Sequence, residues 1–277
     1  MSIPVFHSGE TSVQDRAGVP LRAREMAAKV IRGAMPDQHQ AFFEALPLVF
    51  LALLDRRGRP WAIPMQGAPG FLKATSPRQL VLQGTPALAG ALSLDIAVRA
   101  RVGMLGIDFA TRRRNRLNGR IASGDENLTI AVDQSFGNCP KYIQIRAFEQ
   151  PGSVRQQPVL RQIQLNSPAA RRTVGGADTF FIASRGADPA DGTSSGLDVS
   201  HRGGRPGFLG IDAGGKLSLP DFAGNRYFNT LGNIEADGRV GLLVPDFATG
   251  RALALTGRAK IDWSCVRRSR AHRRRLA

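Results

Sequence analysis

One stretch of this chain occurs twice, and that limits what it can fold into more than any other feature. Val102 to Ile121, VGMLGIDFATRRRNRLNGRI, laid without a gap over VGLLVPDFATGRALALTGRA, from Val240 to Ala259, matches at eleven of twenty positions. A one-residue shift of the same overlay pairs Gly67 to Leu72 with Gly204 to Leu209. Self-similarity at this distance means two tandem units of one architecture. The 277 residues suffice for two domains of roughly 100–150 residues, each with its own core.

The pattern within each unit is mainly β with short helices. In the first copy, extended runs are expected at Leu48–Leu54, Pro60–Met65, Gly70–Leu72 and Gln79–Leu82. A helical spacing follows at Pro86–Leu94, and then come the repeated hairpin, Leu128–Val132 and Phe136–Arg146. The second copy offers strands from Asp178, Gly196, Gly207 and Lys216, a helix-like Asn225–Ile234 and the returning hairpin. Short strands, glycine-rich turns and one helix ahead of the hairpin describe a small closed barrel. Two such barrels in one chain behave as a built-in dimer, with a ligand cleft expected between them.

These readings set the boundaries. Residues 1–46 form a helical extension, with one amphipathic helix at Arg22–Arg32 and another from Asp37 that buries Ala41, Phe42 and Leu46. Copy one spans 47–148, and 149–177 is a linker with a helical turn at Val159–Leu165. Copy two spans 178–261 and reads as incomplete, because nothing after Ile261 resembles the apolar run Leu128–Val132. The tail 262–277 is basic. From Arg267 it is almost only Arg, Ser, Ala and His, the composition of out-of-frame translation in a GC-rich gene or of a disordered extension.

A net charge of +16 invites a nucleic-acid reading, but much of it sits in that tail, and basic residues are not interleaved with aromatic ones as a single-strand binder requires. No specific nucleic-acid partner is expected. Cys139 and Cys265 stand far apart, so neither a disulfide framework nor a zinc site is implied. The longest apolar run, Leu46–Leu54, holds a proline and falls short of the ~20 residues that span a bilayer. With no signal-peptide pattern at the N-terminus, a cytoplasmic protein is expected.

Function is sought where the copies differ. Ser200-His201-Arg202-Gly203-Gly204-Arg205 stands where the first copy has Ile63-Pro64-Met65-Gln66-Gly67-Ala68, and Asn225 to Asn229 stands against the small apolar Ala87 to Ala91. His201, Arg202, Arg205, Asn225 and Asn229 thus collect donors at a strand end and a helix start, a combination suited to phosphate. Loop solvation is the competing explanation, and a single histidine is more often a satisfied residue than a ligand. In the other direction, Arg112, Arg114 and Arg116 alternate where the second copy has Gly250, Ala252 and Ala254. They share one strand face, and either meet a phosphate held by the other copy or solvate an edge strand. Walker, dinucleotide and HExxH motifs are absent from the sequence, which removes the usual kinase and zinc-protease chemistries.

Asp221-Phe222-Ala223-Gly224-Asn225-Arg226-Tyr227-Phe228-Asn229-Thr230-Leu231-Gly232-Asn233-Ile234, followed by Gly238 to Leu243, resembles a segment of pyridoxamine 5'-phosphate oxidase-related, FMN-binding split-barrel proteins. His7-Ser8-Gly9-Glu10, Val13-Gln14, Ala17-Gly18 and Gly137 to Gln144 are similar to tandem members of that family. The resemblance implies two tandem split β-barrels forming a pseudo-dimer with FMN at their interface. By position, Asn229 and Thr230 stand where the oxidases hold the FMN phosphate with a basic pair, and Arg205 near a strand that contacts the flavin. The residues that define pyridoxamine phosphate oxidation have no match, so vitamin B6 synthesis is not implied. The expectation is a flavin-dependent oxidoreductase of unknown substrate, with a small-molecule or protein redox partner, no membrane partner, and an edge open to homo-oligomer formation. The alternative is a non-catalytic flavin or anionic-ligand binding module.

Overall fold

The computed structural model describes residues 5–147, 158–186, 194 and 196–264. Three helices lead the chain: α1 (Ser8–Arg16), α2 (Leu21–Val30) and α3 (Asp37–Glu44). The first copy follows as β1 (Leu48–Leu54), β2 (Pro60–Gln66), β3 (Leu72–Ser76), β4 (Gln79–Leu82), β5 (Arg101–Ile107), β6 (Arg114–Ser123) and β7 (Leu128–Asn138). Helix α4 (Pro168–Gly176) precedes the second copy. That copy holds β8 (Thr179–Arg185), β9 (Leu197–Gly203), β10 (Gly210–Ile211), β11 (Leu217–Ser218), α5 (Asn229–Ala236), β12 (Arg239–Asp246) and β13 (Arg251–Arg258).

The first copy is one antiparallel sheet in the order β2-β1-β5-β6-β7-β4-β3. It curls around a core to which every strand contributes, with Phe42, Phe43, Leu51, Ile63, Leu72, Leu80, Met104, Leu117 and Ile130 among its members. The ladder does not close, so the closed barrel expected from the sequence is corrected. Its edges are β2 and the five-residue β3, and Pro60 and Pro64 lie within β2. Proline has no N–H to donate, which suits an edge strand and not a closing seam.

In the second copy the order β13-β12-β8-β9 repeats β6-β5-β1-β2, and β10-β11 pair as a separate two-stranded piece where the first copy has β3-β4. Among the described residues no strand follows β13. In the first copy β7 pairs with both β6 and β4 and so joins the two pieces. Among the described residues the second copy's ladder has no counterpart of it, and the sheet there is in two parts.

Register makes the equivalence exact to the residue. Ala52 pairs with Gly103 as Ala183 pairs with Gly241, and Phe50 with Leu105 as Phe181 with Leu243. Across the seam Phe50 stacks on Phe181 at 3.5 Å between ring centroids, and Phe109 meets Phe247 edge-on at 5.8 Å. These are twin residues in contact. The glycines behave likewise: a Cβ on Gly103 would lie 2.8 Å from the Leu197 carbonyl oxygen, and one on Gly241 would lie 2.3 Å from that of Pro60. Gly103 of β5 therefore lets β9 approach, and its twin on β12 does the same for β2, the twin of β9. A buried cluster containing Phe50, Ala62, Leu105, Phe181, Val199 and Leu243 fills the seam.

Several local expectations are corrected. Pro86–Leu94 is a run of turns, broken by Gly90 and by Ser93 at φ 51°. Val159–Leu165 is not helical, and the helix of that region starts at Pro168 behind Ser167, whose hydroxyl accepts from the Ala170 N–H. This is an N-cap followed by proline at the first helical position. Helix α5 starts at Asn229 and not at Asn225, because Arg226 and Phe228 take left-handed φ values of 62° and 60°. On α2 Met26 is 62% exposed and only Ala27 is buried, and on α3 Phe43 is buried in place of Ala41. The basic residues from 265 onward lie outside the described residues.

Candidate functional site

The site grows from β6. This strand lies between β5 and β7, so its arginines do not solvate an edge strand, and that reading is corrected. Arg112 sits in the preceding turn, exposed and at φ 62°. Arg114 and Arg116 share a strand face that points to the second copy. Arg116 is buried, with its Nη1 2.6 Å from the Asp198 carboxylate and 3.3 Å from Asn229 Oδ1, and its Nη2 donates to the Ser200 hydroxyl. Burial lowers the pKa of Arg116 and raises that of Asp198, each shift opposed by the partner's charge. The two are held as a buried ion pair bridging the copies.

Around that pair most polar groups meet one another, while Arg116 Nε and Asp198 Oδ1 are buried without partners. Ser200 and Thr230 share a 2.7 Å hydrogen bond between hydroxyls, and Asn229 Nδ2 donates to Glu10 Oε1 at 2.5 Å. Glu10 comes from α1. There His7 and Glu10 form a reciprocal cap in which the Gly9 N–H donates to His7 Nδ1 and the His7 N–H to Glu10 Oε2. The same two side chains tie α1 to α5: His7 Nε2 is 2.9 Å from Asn233 Oδ1, and Asn233 Nδ2 donates to the Ser184 hydroxyl. Backbones approach at Gly9 and Gly232, where a Cβ on Gly9 would lie 2.3 Å from the Gly232 carbonyl oxygen. Burial pushes the Glu10 carboxyl up to about 8, outweighing the hydrogen bonds from Asn229 and His7.

A second cluster lies further along β6 and β9, and it is cationic and short of partners. His201 is 5% exposed, edge-on to the Phe181 ring, and neither ring nitrogen has a hydrogen-bond partner. Burial, with Arg114, Arg202 and Arg146 nearby, drives its pKa down to about 3. Arg114 has a buried Nε without a partner and reaches Cys139 Sγ only at 4.0 Å. Burial and Arg116 lower its pKa to about 10. Arg146 pairs with Asp178 and Arg202 with Asp221. Asn225 Nδ2 donates to Asn138 Oδ1, while Asn138 Nδ2 is buried without a partner.

The segment after β7 runs across this cluster. A Cβ on Gly203 would lie 2.1 Å from the Tyr142 carbonyl oxygen, Tyr142 packs on Phe222 at 5.2 Å, and Ile143 is buried in the seam. Tyr142, Arg226 and Phe228 all take left-handed φ values. Such backbone costs of order 1–3 kcal/mol per residue and gathers at functional sites.

Of the eight residues predicted from sequence, Arg116, Asn229 and Thr230 meet in the first cluster, and Arg114, His201, Arg202 and Asn225 lie in or beside the second. Arg205 is on an exposed turn and joins neither. Glu10, Asp198, Ser200, Asn138 and Arg146 were not among them. Asp198 and Ser200 were legible as polar replacements for Trp61 and Ile63 on a buried strand. Glu10 carried a signal as the third residue after His7, the capping-box spacing.

A cofactor phosphate can be tested against these groups. At Asn229 and Thr230 it would meet the Glu10 and Asp198 carboxyls, and both side chains are already engaged, with Glu10 and Ser200, so that pair does not fit a dianion although Arg116 Nε beside it has no partner. At Arg114 and His201 the unpartnered donors and positive surroundings do fit. The small cavity lined by Glu10, Asn118, Asp198 and Asn229 is about 20 Å³, room for a water and not for a flavin ring.

No family model matches the chain, and no curated protein matches it. Two crystal structures of tagged HupZ from Group A Streptococcus, one of them a histidine-to-alanine variant, are similar to part of it at 12% identity and a TM-score of 0.29. Each match covers 37% of this chain, with 98% of the variant's chain and 94% of the other.

Proposed function

We propose that this chain is a tandem split-barrel pseudo-dimer that binds FMN where the second copy's β9 meets the first copy's β6, and that it works in the cytoplasm as a flavin-dependent oxidoreductase. The observation that carries the reading is the set of buried, unpartnered donors on His201, Arg114 and Asn138 at the seam between copies. Native proteins rarely leave such groups unmade, and a phosphate accepts from several at once. The pseudo-dimer reading is supported by the contacts of Phe50 with Phe181 and Phe109 with Phe247, because a residue that touches its own twin lies near a two-fold axis.

On this reading Arg114, His201, Arg202 and Asn138 hold the phosphate, with Asn225 orienting Asn138. Asn229 and Thr230 have a different task. They brace α5 against α1 and β9, and Arg116 with Asp198 fixes β6 to β9. When bound, FMN supplies the two-electron redox chemistry, and the protein supplies position and electrostatics. A small-molecule or protein redox partner donates or takes the electrons.

The test begins with colour. Protein that purifies yellow, or turns so with added FMN, supports the reading, and colourless protein that ignores added FMN contradicts it. Anaerobic reduction of the bound flavin by nicotinamide cofactors then separates the enzyme from the rival, a flavin-binding module without catalysis: inertness to every donor favours the module. The same cationic cluster of Arg114, Arg202 and Arg146 around His201 supports that rival, because it requires only an anion.

A further inference from the structure

Helix α1 lies outside both sheets yet is tied to both copies. On the first copy, Gln134 of β7 donates from Nε2 to the Val5 carbonyl oxygen, 3.3 Å away and just ahead of the helix. On the second, Gln14 Nε2 donates to the Tyr227 carbonyl oxygen at 3.0 Å, and Glu10 and His7 engage Asn229 and Asn233 of α5. Of these anchors Glu10 is a carboxyl, 4% exposed.

Among the described residues, the charged groups around Glu10 leave it without a counter-ion. On its own helix, His7 Nε2 is 3.7 Å from Glu10 Oε2. His7 Nδ1, however, accepts from the Gly9 N–H, so the ring's one proton is on Nε2 and the ring is neutral. Arg116 of β6 is committed to Asp198, and Arg101 of β5 pairs with Asp133 of β7. The carboxylate that faces Glu10 is Asp198 of β9, on the wall of the same small cavity. Burial and then the Asp198 charge raise the Glu10 carboxyl to about 8, so at neutral pH it is an acid with an O–H to place.

Both Glu10 oxygens already accept, Oε2 from the His7 N–H and Oε1 from Asn229 Nδ2, and the cavity of about 20 Å³ is where that O–H finds an acceptor. Asp198 Oδ1 and Asn118 Oδ1, of two residues on its wall, are buried without partners. One donor and two acceptors around room for one molecule are the complement of a water, which accepts from the first and donates to the others. A cation suits the place less, because the Arg116 guanidinium already stands 2.6 Å from Asp198. We infer that α1 is a strap latched by a proton: Glu10 donates to a single water, the water donates to Asp198 Oδ1 and Asn118 Oδ1, and loss of the proton sets two carboxylates against each other and releases α1. The latch needs no flavin.

Hydrogen exchange of the full chain, read by mass spectrometry on peptides covering Ser8–Arg16 and corrected for the intrinsic rate at each pH, tests the latch. The closed strap holds a proton that the open strap loses. The opening equilibrium of α1 in wild type is therefore expected to rise about tenfold per pH unit from about 6.5 to about 8 and to level off above. Glu10→Gln, which keeps the shape and has no proton to lose, is expected to open independently of pH, with peptides of α4 as the pH-independent control. A wild-type α1 that opens equally at every pH, or the same slope in Glu10→Gln, overturns the inference. A crystal structure of wild type at neutral pH is expected to show one water within hydrogen-bond distance of Glu10, Asp198 Oδ1 and Asn118 Oδ1. A metal ion at that place, or no solvent there, overturns it as well.

Discussion

Glu10 and His201 are buried a few residues from the same seam and carry opposite pH signatures. The Glu10 carboxyl is raised from 4.5 to about 8, so between those values the folded state holds a proton that the unfolded state has lost, and stability falls as pH rises. The His201 imidazole is lowered from 6.5 to about 3. There the unfolded state takes the proton first, and stability falls as pH drops through that window. From pH 6.5 to 8, above the His201 window, the Glu10 contribution is no longer opposed by that of His201. Glu10→Gln is expected to flatten the loss of stability over that range in urea titrations at stepped pH, and an unchanged slope would assign the titration to another group. Asp198→Ala leaves Arg116 buried without its counter-charge, which is expected to cost about 3–5 kcal/mol in the same measurement. The sequence displayed the polar residues of the site but not their pairings. The resemblance set Asn229 and Thr230 on a phosphate by position, and nothing in the local sequence announces Glu10, 219 residues away along the chain, as the acceptor of Asn229.

β6 and β13 are twins by sequence and differ in their surroundings, and much of the molecule's asymmetry follows from that. β6 is covered by β7 and lends its arginines to the other copy, whereas β13 has alanines there and, among the described residues, no strand beyond it. The glycines that the twins' neighbours share are a sterner test of the packing. On Gly241 a Cβ would meet the Pro60 carbonyl oxygen at 2.3 Å and the Trp61 Cα at 2.8 Å, backbone atoms that cannot rotate aside. Gly241→Ala, and Gly103→Ala against β9, are each expected to destabilise by about 1–3 kcal/mol as overpacking does. Denaturant midpoints equal to wild type would show that the strands do not approach so closely. Strand positions were legible because alternation and the repeat agreed. Helix limits were less so: Arg226 and Phe228 in left-handed backbone delay α5, and such residues look ordinary in a one-letter string. Closure was misjudged for a related reason, since count and length of strands do not tell whether the two edges bond.

Over the whole molecule, the seam matters as much as either core. Phe50, Leu105, Phe181, Val199 and Leu243 belong to both copies at once, and neither copy buries them alone. One cooperative unfolding transition is therefore expected by calorimetry, and two resolved transitions would show that the copies are independent. The duplication thus placed a shared wall to which both units bring polar groups: arginines from β6 on one side, His201 and Arg202 on the other. On the proposed function, this wall holds the phosphate of FMN through Arg114 and His201. Its most direct test is titration of wild type and Arg114→Ala with FMN and with riboflavin, followed by quenching of flavin fluorescence. Wild type is expected to bind FMN at least about tenfold more tightly than riboflavin, consistent with charge-assisted bonds worth ~1.5–3 kcal/mol, and Arg114→Ala is expected to remove the difference. Equal affinity of wild type for the two flavins, or an undiminished preference in Arg114→Ala, would contradict it.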